Sequence, residues 1–141
     1  MERIIKYFTV FVILLSGISV SAEEISASAQ NTSLTTPQII SFEQCTKKYE
    51  IPVEKLFFLT LSSINANKFV IEEIQSRNGY ILFYGANRQF LASVHRVDSN
   101  SSILKIVPAN NNYYFPLGII TNVQKYIDLN LTTKIEELNK N

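Results

Sequence analysis

Four predicted β-strands lie in one stretch of the chain, KFVIEEIQSRNGYILFYGANRQFLASVHRVDSNSSILKIV, at positions 68–107. Short turn sequences separate the strands at Asn78-Gly79 and at positions 85–88 and 98–101. Asn-Gly is a strong hairpin signal because both residues accept a positive φ angle. Strands joined by such short turns pair with their neighbours along the chain. The stretch therefore predicts a four-stranded antiparallel meander.

Two long helical patterns flank the meander. Pro52 stands where the first turn of a helix tolerates proline, and apolar residues then recur at three- and four-residue steps. Pro116 precedes a second pattern of the same kind. The order helix, four strands, helix (α-β-β-β-β-α) predicts an α+β domain with the N-terminal and the C-terminal helix packed on one face of the sheet.

A short helix is also expected before the first long one. Ser41 followed three residues later by Gln44 fits a capping box. Phe42, Cys45 and Tyr49 then fall at helical spacing. The pattern predicts about two helical turns over positions 42–49.

Alternation along the strands assigns residues to the two faces of the sheet, because neighbouring side chains on a strand point to opposite faces. The face expected under the helices carries Phe69, Ile71, Ile81, Phe83, Phe90, Ala92, Val94, Leu104 and Ile106. The opposite face, called the outer face below, carries Tyr80, Leu82, Tyr84, Leu91, Ser93, His95, Ile103 and Lys105. Exposed patches this apolar often mark contact surfaces. A cover formed by the tether, the short helix or the tail of the chain is the alternative.

The first 22 residues have the order of a secretory signal peptide. Arg3 and Lys6 precede an uncharged apolar run, and Val20-Ser21-Ala22 offers small residues for cleavage. We expect cleavage before Glu23 and export to the periplasm or the cell exterior. An uncleaved membrane anchor is the alternative, although the 16 uncharged residues at positions 7–22 are fewer than the ~20 that a spanning helix needs.

The rest of the chain divides into a tether and one domain. Residues 23–38, EEISASAQNTSLTTPQ, are mostly small and polar and predict a flexible linker. Residues 39–141 suit a single small α+β domain with one core.

Charge and composition exclude some classes of function. Without the leader, eleven basic and eleven acidic residues remain, so the mature chain has no basic excess for phosphates and we expect no nucleic-acid binding. The single cysteine cannot form an internal disulfide. Richness in Asn, Ile and Lys indicates an AT-rich genome, and we expect a bacterial rather than a eukaryotic source.

Cys45 and His95 are the sole residues of their types and the only candidates for catalysis. A cysteine near a helix N-terminus with a histidine on a later strand is an arrangement used by cysteine hydrolases. No signature of such a family surrounds Cys45. The alternatives are a buried cysteine in the core and an exposed strand histidine. We expect that the protein is not an enzyme, with a thiol-dependent hydrolase as the alternative.

Other chemical sites lack the residues that they need. Glu72 and Glu73 are adjacent on a strand, so they are expected on opposite faces and do not suit an acid–base pair. One His, one Cys and no cluster of carboxylates leave no set of metal ligands. We therefore expect no metal and no cofactor.

Aromatic residues supply the predicted contact surface. Positions 109–116 read ANNNYYFP, in which three asparagines favour a tight loop and three aromatic residues follow. These rings either pack the last helix onto the core or form an exposed lip. With the tyrosines of the outer face, they make up the predicted ligand or partner contacts, Tyr80, Tyr84, Tyr113 and Tyr114.

No specific family is recognised in the sequence. The order of helix, meander and helix over about 90 residues resembles the helix-grip domains of bacterial envelope proteins, a resemblance of element order that transfers no functional residue. We expect an exported, non-enzymatic domain that binds an envelope protein or a glycan and meets the membrane only through an uncleaved leader. A homodimer through the outer faces or an open sheet edge is a further hypothesis.

Overall fold

The structure, a computed structural model, describes residues 33–134. The predicted signal peptide (1–22), most of the predicted linker (23–38) and residues 135–141 lie outside this range. Within it, the chain is an α+β fold with two helices, a five-stranded sheet and a two-stranded sheet. The predicted α+β class is confirmed, whereas the main sheet has one strand more than predicted.

The main sheet is antiparallel and has the strand order β2-β6-β5-β4-β3. Strands β3 to β6 follow one another in the chain and in space, and β1 pairs with β7 in the small sheet. In chain order the elements are β1 (Pro37–Ile39), a 3-10 turn (Glu43–Cys45), β2 (Thr46–Tyr49), α1 (Val53–Ala66), β3 (Val70–Gln75), β4 (Tyr80–Gly85), β5 (Arg88–Asp98), β6 (Ser101–Pro108), β7 (Tyr114–Pro116) and α2 (Gly118–Leu129).

Residues 42–49 do not form the predicted short helix, and that prediction was wrong. The capping contacts are present, since Ser41 N–H donates to Gln44 Oε1 at 2.9 Å and Gln44 N–H donates to Ser41 Oγ at 3.4 Å. They close only the 3-10 turn, and the backbone becomes extended at Thr46. β2 then pairs with β6, which supplies hydrogen-bond partners for its backbone. A helix of only two turns is too short to be stable by itself.

The helices cover the face that alternation assigned to them. Phe83 stacks on Phe69 and on Phe90 with ring centroids 5.7 Å apart in each pair, and Phe90 meets Phe115 edge to face at 5.0 Å. This aromatic row crosses the sheet under the helices. Of the nine residues assigned to this face, Ile71 is half-buried and the others are buried: Phe69, Ile81, Phe83, Phe90, Ala92, Val94, Leu104 and Ile106.

The two helices pack against each other as well as on the sheet. Ser63 Oγ of α1 donates to the carbonyl of Val123 in α2 at 3.0 Å. Gly85 of β4 allows α2 to approach closely, because a Cβ there would lie 2.8 Å from Ile119 Cδ1. The buried residues of α2 are Gly118, Ile119, Ile120, Val123 and Ile127, and those of α1 are Leu56, Phe57, Leu59, Thr60, Ser63 and Ile64.

The described part of the predicted linker contributes to the fold. Leu34 packs against the core, and Pro37 of β1 pairs with Pro116 of β7. Ile40 is buried, and its N–H donates to the carbonyl of Tyr113 at 2.8 Å. Packed structure therefore begins before residue 39, the predicted start of the domain.

Two consecutive residues with positive φ angles, expected at Asn78-Gly79, occur instead in the β4–β5 turn. Ala86 and Asn87 have φ angles of 49° and 60°, the pair of positive values that a two-residue type I′ turn requires. In the first hairpin, Gly79 alone is left-handed, with φ 69°. A left-handed backbone at an alanine such as Ala86 lowers stability by about 1–2 kcal/mol, because the Cβ approaches the following carbonyl oxygen.

We expect Ala86→Gly to raise the free energy of unfolding by about 0.5–1 kcal/mol, because glycine adopts a positive φ without that clash. The reverse change at the other turn, Gly79→Ala, should lower it, because the new Cβ would lie 2.6 Å from the carbonyl oxygen of Val94. Urea unfolding of both variants measures the two shifts. A lower midpoint for Ala86→Gly would contradict the turn assignment.

Tyr49 places a hydroxyl in the core. The residue is 3% exposed, and its hydroxyl has no hydrogen-bond partner among the described residues. Burial, and next the carboxylate of Asp128, raise the pKa of Tyr49 above its usual value. Asp128 is in turn held by Lys47 at 2.7 Å. The folded chain therefore keeps the Tyr49 proton to higher pH than the unfolded chain does.

The raised pKa stabilises the folded chain fully at pH values below about 10, which is the pKa of tyrosine in the unfolded chain. This stabilisation is lost as the pH rises above that value, by at most about 1.4 kcal/mol per pH unit. Tyr49→Phe removes both the titrating group and the unpaired hydroxyl. It should be at least as stable as the wild type at neutral pH and should lose less stability at alkaline pH. Thermal unfolding across that range is the measurement, and a steeper alkaline loss in the variant would refute the assignment.

Candidate functional site

The outer face of the main sheet is covered by neither helix. Leu82, Leu91, Ile103 and Val107 on this face are half-buried, and Tyr84 is 41% exposed. An apolar surface that remains this accessible is a candidate for contact with a partner. Cross-strand pairing arranges its two central rows as Gln75-Tyr80-Ser93-Lys105-Thr46 and Glu73-Leu82-Leu91-Val107.

A β-bulge in β3 turns Glu72 and Glu73 to the same side, so the expectation that they face opposite ways was wrong. The register of β3 shifts between Ile71 and Glu73. Gln89 Nε2 donates to Glu72 Oε2, and Gln75 Nε2 donates to Glu73 Oε1, each at 2.5 Å. Gln75 pairs with Tyr80 and Gln89 pairs with Tyr84 on the outer face, so both carboxylates lie on that face.

Tyr80 and Tyr84 are tied to these polar groups through their hydroxyls. Tyr80 O–H donates to Glu73 Oε1 at 3.2 Å, and the Tyr84 hydroxyl oxygen accepts from Gln89 Nε2 at 3.4 Å. Desolvation, and next the hydrogen bond to Glu73, raise the pKa of Tyr80. Both predicted contact residues on β4 therefore present a ring with an anchored polar tip, which is the form in which tyrosine serves at interfaces.

Tyr113 and Tyr114 form a second group at the small sheet. Tyr113 is half-buried against the core, whereas Tyr114 is 54% exposed beside Ile39, which is 84% exposed. Arg88 anchors this segment by donating to the carbonyl of Tyr114 and, at 3.2 Å, to that of Asn112. The four predicted contact tyrosines thus fall into two pairs, one on β4 of the main sheet and one at the start of β7.

The asparagine-rich loop before these tyrosines is held by its own side chains. Asn112 N–H donates to Asn110 Oδ1, and Tyr114 N–H donates to Asn112 Oδ1, each at 3.1 Å. Phe115, the last of the three aromatic residues, is fully buried. The loop therefore sends one ring into the core and leaves the preceding one exposed.

Cys45 and His95 lie in different environments. Cys45 is fully buried, and burial raises the pKa of its thiol despite the opposing charge of Lys105. Its Sγ donates to the carbonyl of Ser41 at 3.5 Å. His95 is exposed on the outer face, with its Nε2 3.2 Å from Ser93 Oγ. The thiol therefore lacks the lowered pKa that a cysteine nucleophile needs, and among the described residues its hydrogen-bond partner is a backbone carbonyl rather than an imidazole.

A groove of about 370 Å³ lies between the start of α1, the β3–β4 turn and β5. Its lining includes the apolar rings of Phe57 and Phe58 and the charged side chains of Arg77 and Arg96. Arg96 is paired with Glu54 at 2.5 Å. Sequence reasoning missed this groove because its walls come from segments that are distant along the chain.

We expect Cys45 to react with iodoacetamide about 100-fold more slowly in the folded than in the urea-unfolded protein, because the thiol is buried and little of it is ionised at neutral pH. Cys45→Ala combined with Ser99→Cys moves the single thiol to an exposed turn and should react at nearly the unfolded rate. Mass spectrometry follows the alkylation. Equal rates for the buried and the exposed thiol would show that Cys45 is accessible and would favour the hydrolase hypothesis.

Neither helix within residues 33–134 is long and apolar enough to span a membrane. In the same range, no group of three or more His, Cys, Asp or Glu side chains is placed to hold a metal ion. No protein-family model matches the chain, and no curated protein matches it either. The geometry of its surfaces is therefore the basis on which a function can be argued.

Proposed function

We propose that this chain is a non-enzymatic binding domain, exported to the periplasm or the cell exterior, that contacts its partner through the outer face of its sheet. The observation that carries the proposal is the accessibility of that face, where Leu82, Leu91 and Ile103 stay half-exposed and Tyr84 is 41% exposed. Contiguous apolar surface in contact with water is unfavourable. A partner that covers this face would remove it from water.

The chemistry of the outer face suits a partner with both apolar and hydrogen-bonding groups. Tyr80 and Tyr84 offer ring area with a polar tip. Glu72, Glu73 and Gln89 add oxygen acceptors and an amide beside the rings. An envelope protein or a glycan can present matching groups, whereas the carboxylates and the absence of a basic excess in the mature chain disfavour nucleic acid.

The small sheet adds a second, smaller contact region to this proposal. Tyr114 and Ile39 are paired across β1 and β7 and are both exposed. Tyr113 is more buried than Tyr114, so it offers less area to a partner.

Export is supported by the sequence of the leader. The basic residues, the apolar run and the small residues at Val20-Ser21-Ala22 follow the order of a cleavable signal peptide. The protein recovered from the periplasm or the medium should accordingly begin at Glu23 when its N-terminus is sequenced.

Replacing both outer-face tyrosines, Tyr80→Ser with Tyr84→Ser, should reduce capture of the partner from an envelope extract by at least about tenfold, because interface aromatics carry much of the binding energy. Tagged bait and mass spectrometry provide the measurement. Circular dichroism checks that the variant is folded. Undiminished capture by the folded variant would exclude the outer face as the contact surface.

Two control variants separate the loss of ring area from the loss of the hydroxyls and from the effect of a substitution elsewhere on the surface. Tyr80→Phe with Tyr84→Phe keeps the ring area and removes only the hydroxyls, so it should retain most of the capture. Leu129→Ser alters a side chain that is 75% exposed at the end of α2, and it should capture like the wild type. Tyr114→Ser reports separately on the small sheet.

A further inference from the structure

The groove between the start of α1, the β3–β4 turn and β5 carries more positive than negative charge. Its charged lining residues are Arg77, Arg96 and Glu54, so two guanidinium groups stand against one carboxylate. The groove lies on the helix side of the sheet, because α1 forms one of its walls and Arg96 alternates with the outer-face residues of β5. It is therefore separate from the outer face, and its charge attracts an anion.

Backbone hydrogen bonds hold Arg77 at the groove. The carbonyl of Gly79 accepts from Val94 N–H at 2.7 Å, and Gly79 N–H donates to the carbonyl of Ser76 at 3.3 Å. These two bonds fix the β3–β4 turn against β5. The side chain of Arg77 is exposed and makes no ion pair within residues 33–134. Its charge is therefore not neutralised by a carboxylate in that range.

Arg96 keeps donors for a second acceptor. Its Nη2 donates to Glu54 Oε1 at 2.5 Å. Both side chains are more than half exposed, at 55% and 58%, and an exposed ion pair of this kind stabilises a protein only slightly. A guanidinium group has five N–H donors in a planar fork. Arg96 can therefore bind another carboxylate beside Glu54 or in exchange for it.

The remaining lining gives the groove an apolar part. Phe57 and Phe58 meet edge to face, with ring centroids 6.2 Å apart. Phe58 and Val53 are half-buried, so each still exposes apolar surface to the groove. Aromatic rings bind further rings through offset or edge-to-face contacts. A ligand with an apolar body can therefore lie against these side chains while its charged end meets an arginine.

The size and the charge of the groove restrict its ligand. The volume of about 370 Å³ lies at the lower end of the ~300–1,000 Å³ that is usual for small-molecule sites. The excess of one positive charge in the lining suits a monovalent anion better than a divalent one. The fork of a guanidinium group matches a carboxylate with two parallel hydrogen bonds. These properties together fit a small carboxylate with an apolar body.

We propose that this groove binds a small apolar monocarboxylate, with its carboxylate on Arg77 and Arg96 and its apolar body against Phe57 and Phe58. The inference goes beyond the proposed function, because it concerns a different side of the sheet and a different ligand. The guanidinium groups supply the charge recognition, and the phenyl rings remove the apolar body of the ligand from water.

Titration with 3-phenylpropionate tests the site in the protein as the cell exports it. Assigned amide signals of Phe57, Phe58 and Gly79 should shift in NMR spectra, with a dissociation constant of about 1 mM or below, as expected for so small a ligand. Two matched compounds separate the contributions: 3-phenylpropan-1-ol lacks the charge, and acetate lacks the ring. Each should bind at least about tenfold more weakly than 3-phenylpropionate.

Charge variants of the lining change the affinity in opposite directions. Arg77→Gln and Arg96→Gln should each raise the dissociation constant of 3-phenylpropionate by about threefold to tenfold, because each removes a charged donor. Glu54→Gln removes the carboxylate that competes for Arg96 and should lower that constant. Lys125→Gln is the matched control, because it removes an exposed positive charge on α2 that does not line the groove, and it should bind like the wild type.

Several outcomes would overturn the proposal. They are the absence of shifts at about tenfold the expected dissociation constant, shifts confined to another surface, equal binding of the alcohol and the acid, and unchanged affinity in both arginine variants. Weaker binding by Glu54→Gln would also contradict it. Circular dichroism confirms that every variant is folded. Tyr80→Ser with Tyr84→Ser should bind 3-phenylpropionate like the wild type, so the groove and the outer face are tested separately.

Discussion

The structure depends on the burial of one face of the main sheet under two helices. Alternation in β4, β5 and β6 directs every second side chain inward, among them Ile81, Phe83 and Phe90. Each fully buried side chain of this size contributes about 1.5–3 kcal/mol. The stacked row from Phe69 to Phe115 ties the sheet to the small β1–β7 sheet. Both helices pack on this face, so within the described residues neither helix covers the outer face of the sheet.

The exposed outer face follows from this one-sided architecture, and the local geometry of β3 gives it its character. The bulge brings Glu72 and Glu73 to one side, where Gln75, Gln89 and Tyr80 bind them. The tethered tyrosines and the apolar rows are the features from which the outer face is proposed as a contact surface.

Several features were predictable because they depend on neighbours in the chain. Pro52 and the apolar steps behind it located α1, and the turn sequences located β3 to β6 within one or two residues. The short helix at 42–49 failed because burial of Cys45 and Tyr49 at helical spacing also fits a turn followed by a strand. The capping box was real, but pairing of β2 with β6, more than fifty residues away, decided the outcome.

The sequence by itself determined which strand residues face the core, because the two-residue period of a strand is a local property that any apolar alternation expresses. It also determined that the single cysteine forms no internal disulfide. The tertiary structure alone decided that β2 joins the sheet, that a bulge places both glutamates on the outer face, and that Cys45 is buried while His95 is exposed. Each of these depends on register and packing between distant segments, which no local pattern encodes.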